Sequence, residues 1–234
     1  MDYQYSTKTK NECWYKKVCQ EQDDCAEDVF CIRHYKMDYL VSKATMEGKQ
    51  RYSISLYPDE CDYKAYVRLK EIQSSINDFV KEGKNLLIYS KLCGNGKTEW
   101  AKKLLLSWFG SIWHSTDFEC RGLFLSMPRL MQAMKENISK PNEYFQYVNE
   151  NLMTADIVVW DEINYKEWTS YEQDFMLNII SQRISVGKSN IYTTNYDLKS
   201  IEKKLGARLA SRIIGCSETI EFLGGDKRGG NINA

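Results

Sequence analysis

Ser90-Lys91-Leu92-Cys93-Gly94-Asn95-Gly96-Lys97-Thr98 closes a short apolar run, Asn85 to Tyr89, and opens an amphipathic stretch. A loop of small residues between a buried strand and a helix N-terminus lets backbone N–H groups wrap a polyphosphate. Gly94, Asn95 and Gly96 form such a loop, Lys97 brings an ammonium for the outer phosphates, and Thr98 brings a hydroxyl for Mg²⁺. One position departs from the G-x-x-x-x-G-K-[ST] pattern. Lys91 stands where the first Gly belongs, so the loop must turn there without a left-handed Gly or with different geometry. The stretch marks a nucleotide-binding chain.

Working outward, Ala101, Leu104, Leu105 and Trp108 fall at i, i+3, i+4 and i+7, which predicts the helix whose N-terminus holds the phosphates. Upstream, Leu69, Ile72, Ile76, Phe79 and Val80 follow helical spacing from Tyr66 and stop at Gly83. Further apolar runs at Gly122 to Leu125, Ile157 to Trp160, Ile191 to Thr194 and Thr219 to Phe222 read as strands. Helical patterns around Met127 to Ile138, Tyr144 to Met153, Glu172 to Val186 and Leu198 to Ile213 alternate with them. Such alternation predicts an α/β fold of three layers, a parallel sheet with helices on both faces.

The run Asp156-Ile157-Val158-Val159-Trp160-Asp161-Glu162 is a buried-type strand ending in two carboxylates, a Walker B pattern. Asp161 would join Thr98 in the Mg²⁺ shell, and Glu162 would polarise the water that attacks the γ-phosphate. A solvated turn after a strand would look the same by itself; the phosphate loop upstream favours the catalytic reading. The strand ending at Thr194 leads into Asn195, which would hold the lytic water if that strand neighbours the Walker B strand. Arg208 and Arg212 lie four apart on one helical face. Surface pairing is their ordinary role, and a trans-acting arginine that stabilises charge on a neighbour's ATP is the sharper one.

With 32 basic and 32 acidic residues the chain carries no net charge, so any nucleic-acid contact must come from a local basic face. No apolar run approaches the roughly 18 residues a membrane span needs, and no secretory signal opens the chain, so a soluble cytoplasmic protein without a membrane partner is expected. Half of the eight cysteines crowd the N-terminus: Cys13, Cys19, Cys25 and Cys31, followed by His34. In a reducing compartment four such thiolates suit a tetrahedral Zn²⁺ site, whose binding energy would fold residues 11 to 45, a stretch without long hydrophobic periodicity. His34 replacing one Cys, reduced structural cysteines and an iron-sulfur cluster are the alternatives. Three parts follow: a Cys-rich zinc module over 1–45, a linker over 46–62, and an ATPase domain over 63–234.

Taken in order, Gly-x-Gly-Lys-Thr, Val-Val-Trp-Asp-Glu, Asn-Ile-Tyr-Thr-Thr-Asn, Arg-Leu-Ala-Ser-Arg-Ile and Phe-Leu-Gly-Gly-Asp-Lys-Arg resemble the AAA+ ATPases of the bacterial replicative-helicase loaders. The type is DnaC/DnaI, bacteriophage versions especially, and the resemblance runs from Asp62 to Arg228. It implies a RecA-like AAA+ sheet without the C-terminal helical lid, with Asn195 as sensor 1, Arg212 as arginine finger with Arg208 as second candidate, and Arg228 near the nucleotide. It also implies an N-terminal module that contacts the helicase, for which Trp14, Tyr15, Phe30 and Tyr35 offer an apolar face. Lys135, Lys140, Tyr144 and Phe145 occupy the segment that lines a central channel for single-stranded DNA in related proteins.

The expected function is therefore an ATP- and Mg²⁺-dependent loader that self-associates into a ring or spiral, binds single-stranded DNA, and delivers a hexameric replicative helicase. Rival expectations are a transposition-helper ATPase of the IstB type, a small-molecule kinase on the same loop, and an adaptor that captures a host helicase and uses nucleotide only as a switch.

Overall fold

Leu86, Leu87 and Ile88 are consecutive and all fully buried, which a strand allows only when both of its faces are covered. The computed structural model describes residues 13, 31–46, 56–163 and 166–227. Cys19, Cys25 and Arg228, all singled out by the sequence, lie outside the described residues.

Among the described residues five strands form one parallel sheet: β1 (Asn85–Tyr89), β2 (Gly122–Ser126), β3 (Ile157–Asp161), β4 (Ser189–Thr194) and β5 (Ser217–Glu221). Their spatial order is β2-β3-β4-β1-β5. The register pairs Leu86 with Ile191, Val158 with Asn190, and Trp160 with Tyr192. β1 is flanked by β4 and β5, so the loop leaving it opens at a switch in strand order, where parallel α/β sheets bind ligands.

Strands β1 to β4 split their side chains between two cores, and β5 gives Ile220 to one of them. Leu86, Ile88, Val159 and Ile191 face α1 (Ile32–Lys43), α2 (Tyr63–Ser74), α3 (Ile76–Lys81) and α4 (Lys97–Ile112). Leu87, Val158, Trp160 and Tyr192 face α5 (Met127–Ser139), α6 (Glu143–Asn151), α7 (Ser170–Ser185), α8 (Leu198–Leu205) and α9 (Ala207–Gly215). The three-layer α/β expectation holds.

Local differences have local causes. The helix expected from Tyr66 to Gly83 is two helices that meet at Ser75, whose hydroxyl donates to the Glu71 carbonyl. The pattern from Leu198 to Ile213 likewise divides at Gly206, which adopts φ +80°. α1 lies in a stretch where no helix was expected. Met37, Leu40 and Ala44 are buried in the α4-side core, and the Ala44 carbonyl accepts the Phe124 N–H at 2.7 Å, so residues 31–46 are held by apolar burial and by the sheet edge.

On the far side of the sheet core the buried Arg183 of α7 ties three chain segments together. Its guanidinium donates to the carbonyls of Leu152, Ala155 and Ser189 and to Asn190 Oδ1. Burial holds its pKa down at about 10. No helix among the described residues is long and apolar enough to cross a membrane.

Candidate functional site

The loop after β1 turns without help from a glycine at position 91. Lys91 does not adopt positive φ; instead the buried Ser90 hydroxyl accepts the Leu92 N–H at 3.0 Å and Asn95 Nδ2 at 2.8 Å, closing the turn from inside. Lys91 points outward and pairs with Asp197 at 3.1 Å. Asp197 caps α8 through the Ser200 N–H, and the Ser200 donors together with Lys91 hold its carboxyl at about 2. Glycine is required further along, where Gly94 and Gly96 sit at φ +73° and +98°. α4 begins at Lys97 immediately afterwards, so its N-terminus opens onto the loop.

Lys97 is 6% exposed, and its ammonium donates to the Leu92 carbonyl at 2.8 Å and to Asn95 Oδ1 at 2.9 Å. The ammonium is thus folded into the loop it serves. At the next residue, Thr98 Oγ1 donates to Asp161 Oδ1 at 2.9 Å, although the two residues are 63 positions apart in sequence. The same carboxylate oxygen accepts the Thr193 hydroxyl at 2.6 Å. Burial pushes the Asp161 carboxyl up, and the Thr193 and Thr98 hydroxyls pull it back. A buried carboxylate beside a threonine hydroxyl at a helix N-terminus is a donor set that fits a hydrated Mg²⁺.

Glu162 follows at φ +58°, a left-handed conformation that costs a non-glycine residue on the order of 1 kcal/mol. Its N–H donates to Thr193 Oγ1 at 3.0 Å, and its side chain is exposed. β3 and β4 are neighbours, and Asn195 is the residue just beyond the end of β4. The loop beyond Glu162 is held at its far end by Glu172 of α7. Burial favours the neutral acid there, but Lys166 at 2.7 Å and Thr169 outweigh it and lower the pKa.

Residues 222–227 lie across the phosphate loop. The buried Asp62 carboxylate accepts the Leu223 N–H at 2.7 Å and the Gly224 N–H at 3.1 Å, while the Lys227 N–H donates to the Gly94 carbonyl at 3.0 Å. A Cβ on Gly94 would come within 1.9 Å of Asp226 Oδ1, so the tail rests directly on the loop. The sequence reading missed this role of Asp62 and also the role of Thr193; an acid before a helix and a threonine in a strand carry no distinguishing pattern.

Arg208 and Arg212 are exposed on α9, and no hydrogen bond or ion pair among the described residues ties either to the phosphate loop. Cys31 caps α1, its Sγ accepting the His34 N–H at 3.5 Å, and Cys13 packs against the α4-side core. Asp59, Cys61 and Asp62 cluster closely, but Asp62 already accepts the two tail N–H groups and Asp59 pairs with Lys227 at 3.6 Å. A cleft of about 690 Å³ lies at the opposite ends of the strands. Its Arg121 and Lys188 both close on Asp156, at 2.6 and 3.0 Å.

No protein-family model matches the chain, and no curated protein matches it. Solved structures do. A crystal structure of the DnaC helicase loader superposes with TM-score 0.60 at 20% identity, covering 74% of this chain and 99% of that one. A DnaI structure gives 0.57 at 19%, covering 75% and 88%. AMPPCP-bound DnaA from Aquifex aeolicus gives 0.55 at 18%, covering 71% of this chain and 48% of DnaA. At such identities the likeness shows the fold alone, the parallel α/β arrangement that these proteins share with this chain.

Proposed function

We propose that the chain is an ATPase of the helicase-loader kind, which acts in initiation of DNA replication by engaging a hexameric replicative helicase and single-stranded DNA in the bacterial cytoplasm. The observation that carries the reading is the bond of Thr98 to Asp161, which joins the start of α4 behind a glycine-bearing loop to a strand end where Glu162 is the next residue. The fold adds support, since DnaC and DnaI share it and a DnaA of the same fold is seen with AMPPCP and single-stranded DNA.

In this reading the N–H groups from Gly94 to Thr98 hold the β-phosphate, and Lys97 turns from the Leu92 carbonyl towards the β- and γ-phosphates. Thr98 and Asp161 would hold Mg²⁺, which would supply positive charge to offset that of the phosphates. Glu162 orients and deprotonates water, and Asn195 steadies it from the adjoining strand. Arg212, with Arg208 as alternative, reaches the nucleotide of a second copy in a ring or spiral, which accords with its exposure in a single chain. Arg228 follows the tail that lies on the loop and would meet the same nucleotide. Zinc on Cys13, Cys19, Cys25 and Cys31 belongs to the same proposal, and elemental analysis of the purified protein tests it; a preparation without zinc removes it.

Glu162→Gln is the deciding variant. Turnover should fall by about 10²–10⁴-fold with nucleotide binding retained, because the exchange removes a base and keeps shape. Unchanged turnover would sink the hydrolytic assignment. A wild-type protein that binds ATP without turnover would favour the switch-only adaptor.

A further inference from the structure

We propose that Thr193 is a positioning residue of this site, one hydroxyl orienting both the Asp161 carboxylate and the Glu162 backbone. The inference rests on the hydrolytic reading and extends it to a residue outside the motifs.

Strand alternation puts the group where it can act. Val159 and Ile191 face the α4 layer, so Asp161 and Thr193, each two residues further along its strand, face it too. Thr98 opens α4 on that side, and the three side chains meet. Thr193 is 1% exposed, so water does not compete for its hydroxyl. A threonine hydroxyl has one proton to give and lone pairs to receive. Here the proton goes to Asp161 Oδ1 at 2.6 Å, and a lone pair receives the Glu162 N–H at 3.0 Å. The Thr193 carbonyl in turn accepts the Ile163 N–H at 3.0 Å.

These bonds account for the backbone of Glu162. At φ +58° its N–H is turned towards β4, and the Thr193 oxygen is the acceptor that meets it. A side chain with the same shape and no hydroxyl would leave Asp161 with the Thr98 bond alone and would leave the Glu162 N–H without its acceptor. The carboxylate for the metal and the carboxylate for the water would then lose their common support, while the phosphate loop itself, built on β1 and Ser90, would be untouched.

Thr193→Val tests this, with Thr193→Ser as the rescue that keeps the oxygen. Steady-state ATP turnover should fall by about 10–100-fold in Thr193→Val, as is usual when a group orienting a metal-site ligand is removed, and Thr193→Ser should stay within about threefold of wild type. Binding of a fluorescent ATP analogue without Mg²⁺ should be unchanged, and the affinity gained on adding Mg²⁺ should shrink in Thr193→Val only. Wild-type turnover in Thr193→Val, or equal impairment of both variants, overturns the proposal. If Thr193→Val melts more than about 5 °C below wild type, Thr193→Ala and Thr193→Ser, which differ by the hydroxyl, replace the pair. A wild-type protein that binds nucleotide without turnover refutes the hydrolytic reading itself. The Mg²⁺-dependent gain then decides Thr193 alone: lost in Thr193→Val it sustains the role, kept it overturns it.

Discussion

Asp62→Ala should destabilise the protein far more than its place in a short turn suggests. The Asp62 side chain is 2% exposed and accepts N–H groups from Leu223 and Gly224, more than 160 positions away in sequence. Hydrogen bonds to a charged acceptor contribute about 1.5–3 kcal/mol each, and a buried N–H left without a partner costs about as much. Leu223 is 58% exposed, so water can replace that bond in part, whereas Gly224 is buried. A loss of about 2–4 kcal/mol follows from these two bonds. Over the 234-residue chain, an unfolding entropy of about 2.1 cal/mol/K per residue converts this loss to a drop of about 4–8 °C in melting temperature. Thermal unfolding followed by circular dichroism measures it. Asp59→Ala is the internal control, since Asp59 is exposed and its pair with Lys227 spans 3.6 Å; it should move the melt by no more than about 2 °C. Asp62→Asn, which keeps an acceptor oxygen without the charge, should fall between. If Asp62→Ala and Asp59→Ala melt together, the tail is not held by the Asp62 carboxylate.

Lys103 supplies a pH dependence of known sign: burial first, and then the neighbouring Lys70, hold its pKa down at about 8. The folded value lies below that of the unfolded chain, so the folded form binds fewer protons between about pH 8 and 10.4, and stability from this group rises across that window. Lys103→Met should therefore melt higher than wild type at pH 7, with the gap closing as pH passes about 10.4; a gap independent of pH refutes the assignment. For the trans-acting arginine, Arg212→Ala and Lys97→Ala should each lack turnover, and mixing them should restore a fraction of it, because one copy brings Lys97 and the other Arg212. Mixtures as inactive as their parts would exclude a shared site built on Arg212.

Much of the site could be read from the chain because its parts are local. A phosphate loop is a run of nine residues between a strand and a helix, and Gly94, Gly96, Lys97 and Thr98 work through backbone geometry set within that run. Asp161 and Glu162 were readable for a similar reason, as carboxylates ending an apolar strand. The helix of residues 32–43 escaped because Met37, Leu40 and Ala44 make only a thin apolar stripe among aromatics and charges, and its burial depends on α4 and β2. The break at Ser75 and the division at Gly206 escaped because helical periodicity runs through both.

Order along the chain determined that strands and helices alternate, that a glycine-bearing loop follows β1, and that two carboxylates end a later strand. These follow from side-chain period and backbone freedom, which act between near neighbours. Only the tertiary structure decided which strand ends meet. The order β2-β3-β4-β1-β5 brings the Thr98 and Thr193 hydroxyls onto one oxygen of Asp161, and lays the tail held by Asp62 across Gly94. Hydrogen bonds between residues so far apart depend on packing of both sheet faces, which no short stretch of the chain records.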